Sequence, residues 1–204
     1  MLPGCSNGIR ETKSADEYFA QGQEYLKDGN NEKAIAAFTE AIKRRSTYTE
    51  AFIARGNAQY NLQNYLLAID NYTSAINLKV DSGDAFYLRG RAYRSLEMFD
   101  KAIDDLEMAI ALDPNDKEAY LGLGLNYTDL RRYDDAIAAY QNSIAIDNDY
   151  GEAYKFLGFT YFLAQDYEQS LYNLENYIEI VGENNADSTA LESIAELRKL
   201  MNLP

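Results

Sequence analysis

Arg91 and Arg94 stand three residues apart, and Tyr87 lies four before Arg91. On a helix the three would share one stripe. Two neighbouring guanidinium groups suit one kind of chemistry, the bidentate grip of a carboxylate. That is recognition, not turnover. The carboxylate pairs Asp104–Asp105 and Asp134–Asp135 are of a type used in acid–base catalysis. However, adjacent residues on a helix do not face each other, so these pairs read as solvated faces. The chain has no His, which removes the commonest general base and the commonest transition-metal ligand. No nucleophile–base motif, phosphate loop or dinucleotide fingerprint is present. The sequence therefore predicts no catalytic residues, no metal and no cofactor.

The segments that hold these residues repeat. Gly22, Gly56, Gly90, Gly124 and Gly158 recur every 34 residues without an insertion. An aromatic precedes each by four: Tyr18, Phe52, Phe86, Tyr120, Tyr154. A small residue follows each by twelve: Ala34, Ala68, Ala102, Ala136, Ser170. A fixed period of this size signals stacked supersecondary units. Within the first unit, Tyr18, Gly22 and Tyr25 share one face of a helix predicted from about Ala15 to Asp28. Gly29-Asn30-Asn31 is a turn by composition. A second helix is predicted from about Glu32 to Arg44, with Ala34, Ile35, Phe38, Ala41 and Ile42 at helical spacing. Acidic residues open most second helices (Glu32, Asp100, Asp134, Glu168), where the helix dipole favours them.

This pattern resembles the tetratricopeptide repeat, whose signature is W-x2-L-G-x2-Y, then A-x3-F, then P. Tyr25, Tyr93, Tyr127 and Tyr161 fill the Tyr slot, and Gln59 does not. Phe38, Tyr72, Leu106, Tyr140 and Leu174 fill the later aromatic slot. The closing Pro is kept only at Pro114. Leu123 and Leu157 keep the Leu before Gly, whereas Gln21, Arg55 and Arg89 replace it. The resemblance implies an all-α fold, a right-handed α-solenoid of five 34-residue helix-turn-helix repeats. These are residues 15–48, 49–82, 83–116, 117–150 and 151–184. Residues 185–204 would add a C-terminal capping helix, with Leu191, Ile194, Ala195, Leu197 and Leu200 as its apolar stripe.

The resemblance also implies where a partner would bind. In the family the first helices line a concave groove, through the second, fifth, ninth, twelfth and thirteenth places of each repeat. Carried over, these places give a polar zone of Gln23, Lys27, Asn57, Asn61, Arg91 and Arg94, with Tyr60 and Tyr87 among them. Asn57 and Arg91 hold the same place in adjacent repeats. An apolar zone follows, with Leu121, Leu125, Phe159 and Phe162. The implied function is a non-catalytic scaffold that holds a protein or peptide segment. A self-assembling structural module in the cytoplasm is the alternative.

Composition bounds the partner. Net charge is −14 over 204 residues, which opposes nucleic acid, whose phosphates require clustered Lys and Arg. The acidity serves solubility or attracts a basic partner. No apolar run is long enough to span a bilayer. Residues 1–14 read as a leader without helical periodicity. Within it, Leu2-Pro3-Gly4-Cys5 resembles the lipobox of bacterial lipoproteins, although a charged start and apolar stretch do not precede it. That resemblance implies lipidation at Cys5 and a place in the bacterial cell envelope. Without the lipid, the expectation is cytoplasmic.

Overall fold

The computed structural model describes residues 13–79 and 81–203. The chain divides into two compact units, residues 1–80 and 81–204. The leader up to residue 12, Cys5 included, lies outside the described residues. Eleven α-helices and one 3-10 turn are present among the described residues, and no strand. The first unit holds α1 (Ala15–Lys27), α2 (Asn31–Arg44), α3 (Thr49–Asn61) and α4 (Tyr65–Leu78). The second holds α5 (Gly83–Ser95), α6 (Phe99–Leu112), α7 (Lys117–Asp129), α8 (Tyr133–Ile146), α9 (Gly151–Leu163), α10 (Tyr167–Val181) and α11 (Ser188–Leu200). A 3-10 turn over Glu183–Asn185 precedes α11. In both units each odd-numbered helix up to α9 pairs with the helix after it, which makes an α-solenoid of helix pairs.

Short loops hold each pair together. All five first helices end alike. Gly29, Gln63, Glu97, Arg131 and Gln165 lie in the left-handed region, with φ between 57° and 73°. The N–H of each donates to the carbonyl three residues back, and the next N–H reaches five back, as in Asn30 to Tyr25 and Arg132 to Tyr127. This is the Schellman ending, which satisfies carbonyls that the helix leaves open. Only the first of the five is glycine. The second helices stop differently, on extended residues such as Arg45, Lys79, Asp113 and Asp147. At the start of α1, the Ser14 hydroxyl accepts from the Glu17 N–H and the Glu17 carboxylate accepts from the Ser14 N–H. The two groups cap each other's orphan donor.

The core of each pair is a large side chain laid on the glycine. Phe38, Tyr72, Leu106, Tyr140 and Leu174 are all buried, and Ala34, Ala68, Ala102, Ala136 and Ser170 beside them are fully buried. A Cβ added at Gly22, Gly56 or Gly124 would lie 2.4–2.5 Å from the ring of Phe38, Tyr72 or Tyr140. Each such side chain, taken from water, contributes about 1.5–3 kcal/mol.

The helix α11 closes the second unit. Ala190, Ile194 and Leu197 are buried in a cluster with Leu171, Leu174 and Tyr177 of α10. The inward stripe therefore runs Ala190, Ile194, Leu197, at steps of four and three. Ala195 and Leu200, predicted to join it, face outward. The Tyr177 hydroxyl accepts from the Asp187 N–H at 3.0 Å, which fixes the entry to α11.

Candidate functional site

The first helices of the repeats carry the predicted binding residues, and each unit presents its own set. In the first unit Gln23 and Lys27 are exposed on α1, and Asn57, Tyr60 and Asn61 follow on α3. Asn57 is half-buried because its Oδ1 accepts from the Tyr72 hydroxyl at 2.8 Å. The ring that packs on Gly56 thus also orients the amide on the outer face. Tyr60 meets Tyr65 edge-on, with centroids 5.2 Å apart. Asn61 donates to Asn31 across to α2 at 3.2 Å.

In the second unit Tyr87 is half-buried and Arg91 exposed on α5, with the Arg91 guanidinium 5.6 Å over the Tyr87 ring. The stripe expected from their spacing is present. Burial pushes the Tyr87 phenol up to about 12, with the Arg91 charge opposing. The phenol therefore stays neutral. Arg94 is different. Its Nε donates to Asp129 Oδ2 at 2.9 Å, and its terminal nitrogen lies 2.8 Å from the same oxygen. A carboxylate of the chain already occupies this guanidinium, so Arg91 and Arg94 are not two equivalent open grips.

The apolar zone also differs from an open patch. Leu121 is buried and Leu125 half-buried. Phe159 and Phe162 are half-buried because they pack against the cluster that α10 and α11 form. The apolar stripe of α11 needed cover, and these rings supply part of it. Lys155 at the fifth place turns the same way: its Nζ is 3.7 Å from Asp187 and 5.7 Å over the Tyr177 ring.

Beneath this face lies a hydroxyl cluster that sequence reasoning did not find. Thr128 Oγ1 is 2.9 Å from the Gly124 carbonyl, 3.2 Å from the Tyr140 hydroxyl and 3.0 Å from Thr160 Oγ1. Only one arrangement satisfies all three contacts. Thr128 donates to the carbonyl, and Tyr140 and Thr160 donate to Thr128. Its signal in the sequence was Thr at the twelfth place of the fourth repeat, twelve residues before the Tyr that packs on Gly124.

No group of three or more potential metal ligands is found among the described residues. No helix there is long and apolar enough to cross a membrane.

Tetratricopeptide repeat family models match residues 19–85, 83–116 and 117–150, a continuous stretch of more than half the chain. The chain is similar to the crystal structure of MamA, at 26% identity and a TM-score of 0.72, over 78% of this chain and 93% of that one. It is also similar to YrrB, described as a tetratricopeptide repeat protein with an unusual peptide-binding site. Identity there is 24% and the TM-score 0.70, over 88% of this chain and 91% of the other. PilW, described as a widely conserved type IV pilus biogenesis factor, is 20% identical with a TM-score of 0.82, over 92% and 86%. No curated protein sequence matches the chain.

Proposed function

The chain belongs to the tetratricopeptide repeat family, and on that premise we propose that it is a non-catalytic scaffold holding a segment of a partner protein on its first-helix faces. One observation carries the reading. Arg91 stacked on Tyr87, with Leu125 on the neighbouring helix α7, places a cation and apolar surface outside the glycine–ring core. The core closes without them, and Tyr87 and Leu125 keep part of their surface exposed. Tyr87 and Arg91 are also preorganised, which lowers the entropy a complex must overcome. YrrB, with its peptide-binding site, supports the analogy at the level of fold.

The test starts from peptides selected against the purified chain from a random library. Tyr87→Ala with Leu125→Ala is expected to weaken a selected peptide at least tenfold, a change of about 1.4 kcal/mol. Tyr172→Ala, on the exposed side of α10, is expected to change it less than about twofold, well inside that same scale. The opposite pattern, with circular dichroism showing all variants folded, would move the site to the second helices.

We also propose that the full-length product is lipidated at Cys5 and sits in a bacterial envelope. The support is the Leu2-Pro3-Gly4-Cys5 spacing, and one acyl chain alone gives only marginal membrane binding. PilW is described as a pilus biogenesis factor; its likeness bears on fold, and the placement rests on the cysteine motif. Metabolic labelling with a clickable fatty acid is expected to mark the native chain and not Cys5→Ser. An unlabelled chain, in a host that labels control lipoproteins, would remove the envelope placement.

A further inference from the structure

The first repeat leaves open a face that later repeats fill. In the fourth and fifth repeats the tyrosine three residues after the glycine meets the preceding second helix. The Tyr127 hydroxyl donates to Glu107 on α6 at 3.5 Å, and Gln141 on α8 donates to the Tyr161 hydroxyl at 3.5 Å. In the second repeat Arg55, one residue before the glycine, donates to Thr39 on α2 at 3.1 Å. Tyr25 and Gln21 hold these two places in the first repeat. Among the described residues no helix precedes α1. Gln21 donates to the Tyr25 hydroxyl at 3.1 Å and accepts from Lys13 at 2.9 Å. A hollow of about 260 Å³ remains between Tyr18 and Tyr25 on α1 and Ala36 and Ala37 on α2.

Lysines stand at both ends of this hollow. The Lys33 ammonium lies 5.7 Å over the Tyr25 ring, and the Lys13 ammonium 5.8 Å over the Tyr18 ring. Neither lysine forms an ion pair among the described residues. Glu40 also lines the hollow, but Lys43 and Arg44 already hold its carboxylate.

The far end of the chain offers a helix with a matching outer side. While α11 turns Ala190, Ile194 and Leu197 inward, Glu192, Glu196 and Leu200 follow one another at steps of four on its outer side, and all three are exposed. Leu200 is 55% exposed and Leu203, just beyond the helix, 45%. Neither glutamate forms an ion pair among the described residues. No helix follows α11 among the described residues. Both ends of the repeat array therefore show surface of the kind that stacking buries inside it.

Charge decides which ends can meet. Residues 1–80 hold nine Lys or Arg and nine Asp or Glu, while residues 81–204 hold ten and 24. The whole net charge of −14 therefore falls on the second unit. Two copies joined through α11 on both sides would bring two acidic units together, and like charge opposes that. The first unit carries no net charge and presents two lysines without a carboxylate. It is the better partner for α11.

We propose that the open face of the first repeat takes α11 of a second copy, so that copies join end to end. Leu200 enters the hollow between the two tyrosines. Glu196 and Glu192 lie about 6 and 12 Å further along the helix, in line with a lysine at the end of the hollow. An acid beside Tyr25 then repeats the contact that Glu107 makes with Tyr127. The contact is heterologous, because it joins two different surfaces, and each joined pair keeps one open face and one open α11. The inference goes beyond the peptide-holding face. Tyr18, Gln21 and Tyr25 occupy other places of the repeat than the predicted groove residues, so either can fail without the other.

Light scattering on the purified full chain, in reductant so that Cys5 does not link copies, tests the contact. The mass is expected to rise over a concentration series reaching about 1 mM, the weak end of specific association. Ala36→Arg fills the hollow from an exposed position, and Leu200→Asp alters the side chain that enters it. Each alone is expected to weaken association by about tenfold or more, with circular dichroism showing both chains folded. Mixed in equal amounts, the two variants are expected to form a two-chain species and nothing larger, because the intact face of one meets the intact α11 of the other. Lys33→Glu with Glu196→Lys in one chain is expected to associate where Lys33→Glu alone does not. A wild type that stays monomeric at every concentration overturns the proposal and leaves the face to residues 1–12 or to another protein. A mixture that stays monomeric while the wild type associates overturns it as well, since the contact then joins like surfaces or lies elsewhere.

Discussion

Asp105→Ala is expected to destabilise the second unit by about 3–5 kcal/mol, the cost of breaking a buried ion pair by removing one partner. Arg89 Nε and Nη2 donate to the two Asp105 oxygens, each at 2.8 Å, and both side chains are largely buried. The alanine would leave a guanidinium sealed against Phe86 and Tyr93, whose rings it covers at 5.6 and 5.9 Å. The chain itself supplies the control. In the fourth repeat the same two places are Leu123 and Ala139, both buried. Arg89→Leu with Asp105→Ala installs that apolar pair in the third repeat. It is expected to recover most of the loss, because apolar replacements of buried ion pairs are often neutral or stabilising. Urea midpoints followed by far-ultraviolet circular dichroism measure all three chains. A double variant as weak as the single one would show that the cost comes from lost volume, not from the stranded charge.

That pair marks the limit of what the sequence made legible. The 34-residue phase was plain, and with it the helix pairs, because glycine, alanine and aromatic positions follow from close packing alone. The predicted first helices ended one residue from their place in α1. Arg55 and Arg89 in the Leu slot read only as departures from the family pattern. In the structure each reaches a buried partner sixteen residues on: Arg55 donates to Asn71 at 2.7 Å, and Arg89 to Asp105. The signal was present, since Asn71 and Asp105 stand where the fourth repeat has Ala139. It was missed because a departure was weighed singly and not together with its partner place.

The binding face was less legible for a different reason. Its residues lie on helices whose rotation about their own axes is set by packing, which period alone does not give. Arg94 and Asp129 are 35 residues apart, and only the facing of α5 and α7 brings them together. Phe159 and Phe162 were placed in the groove by their repeat places alone, which do not show what α11 covers; of its expected stripe Ile194 and Leu197 are buried, with Ala190 beside them. Leu200 was expected to face the core and Ala190 was not considered. With Ala190, Ile194 and Leu197 turned inward, the helix covers those rings.

Glycine replacement separates the repeats by their large side chain. Gly124→Leu is expected to cost about 3 kcal/mol or more, at or above the usual range for overpacking. A Cβ at this position would stand 2.5, 2.7 and 2.8 Å from Cε1, Cδ1 and Cζ of Tyr140. That ring is fully buried and its hydroxyl is held by Thr128, so it has nowhere to swing. Alanine at Gly124 already meets the same atoms. Its gain in helix propensity, about 1 kcal/mol over glycine, is smaller than the clash. Gly90 gives the opposite balance. Its large partner is Leu106, and the nearest atoms to a Cβ there, the Ala102 carbonyl and Leu106 Cγ, are 3.2 Å away. A shift of a few tenths of an ångström relieves that contact, so the propensity gain offsets it. Gly90→Ala is expected to melt within a few degrees of the parent, while Gly124→Ala melts well below it. Equal melting temperatures would mean that ring and leucine leave the same room, and that the aromatic places of the fourth repeat do not set how closely its helices approach.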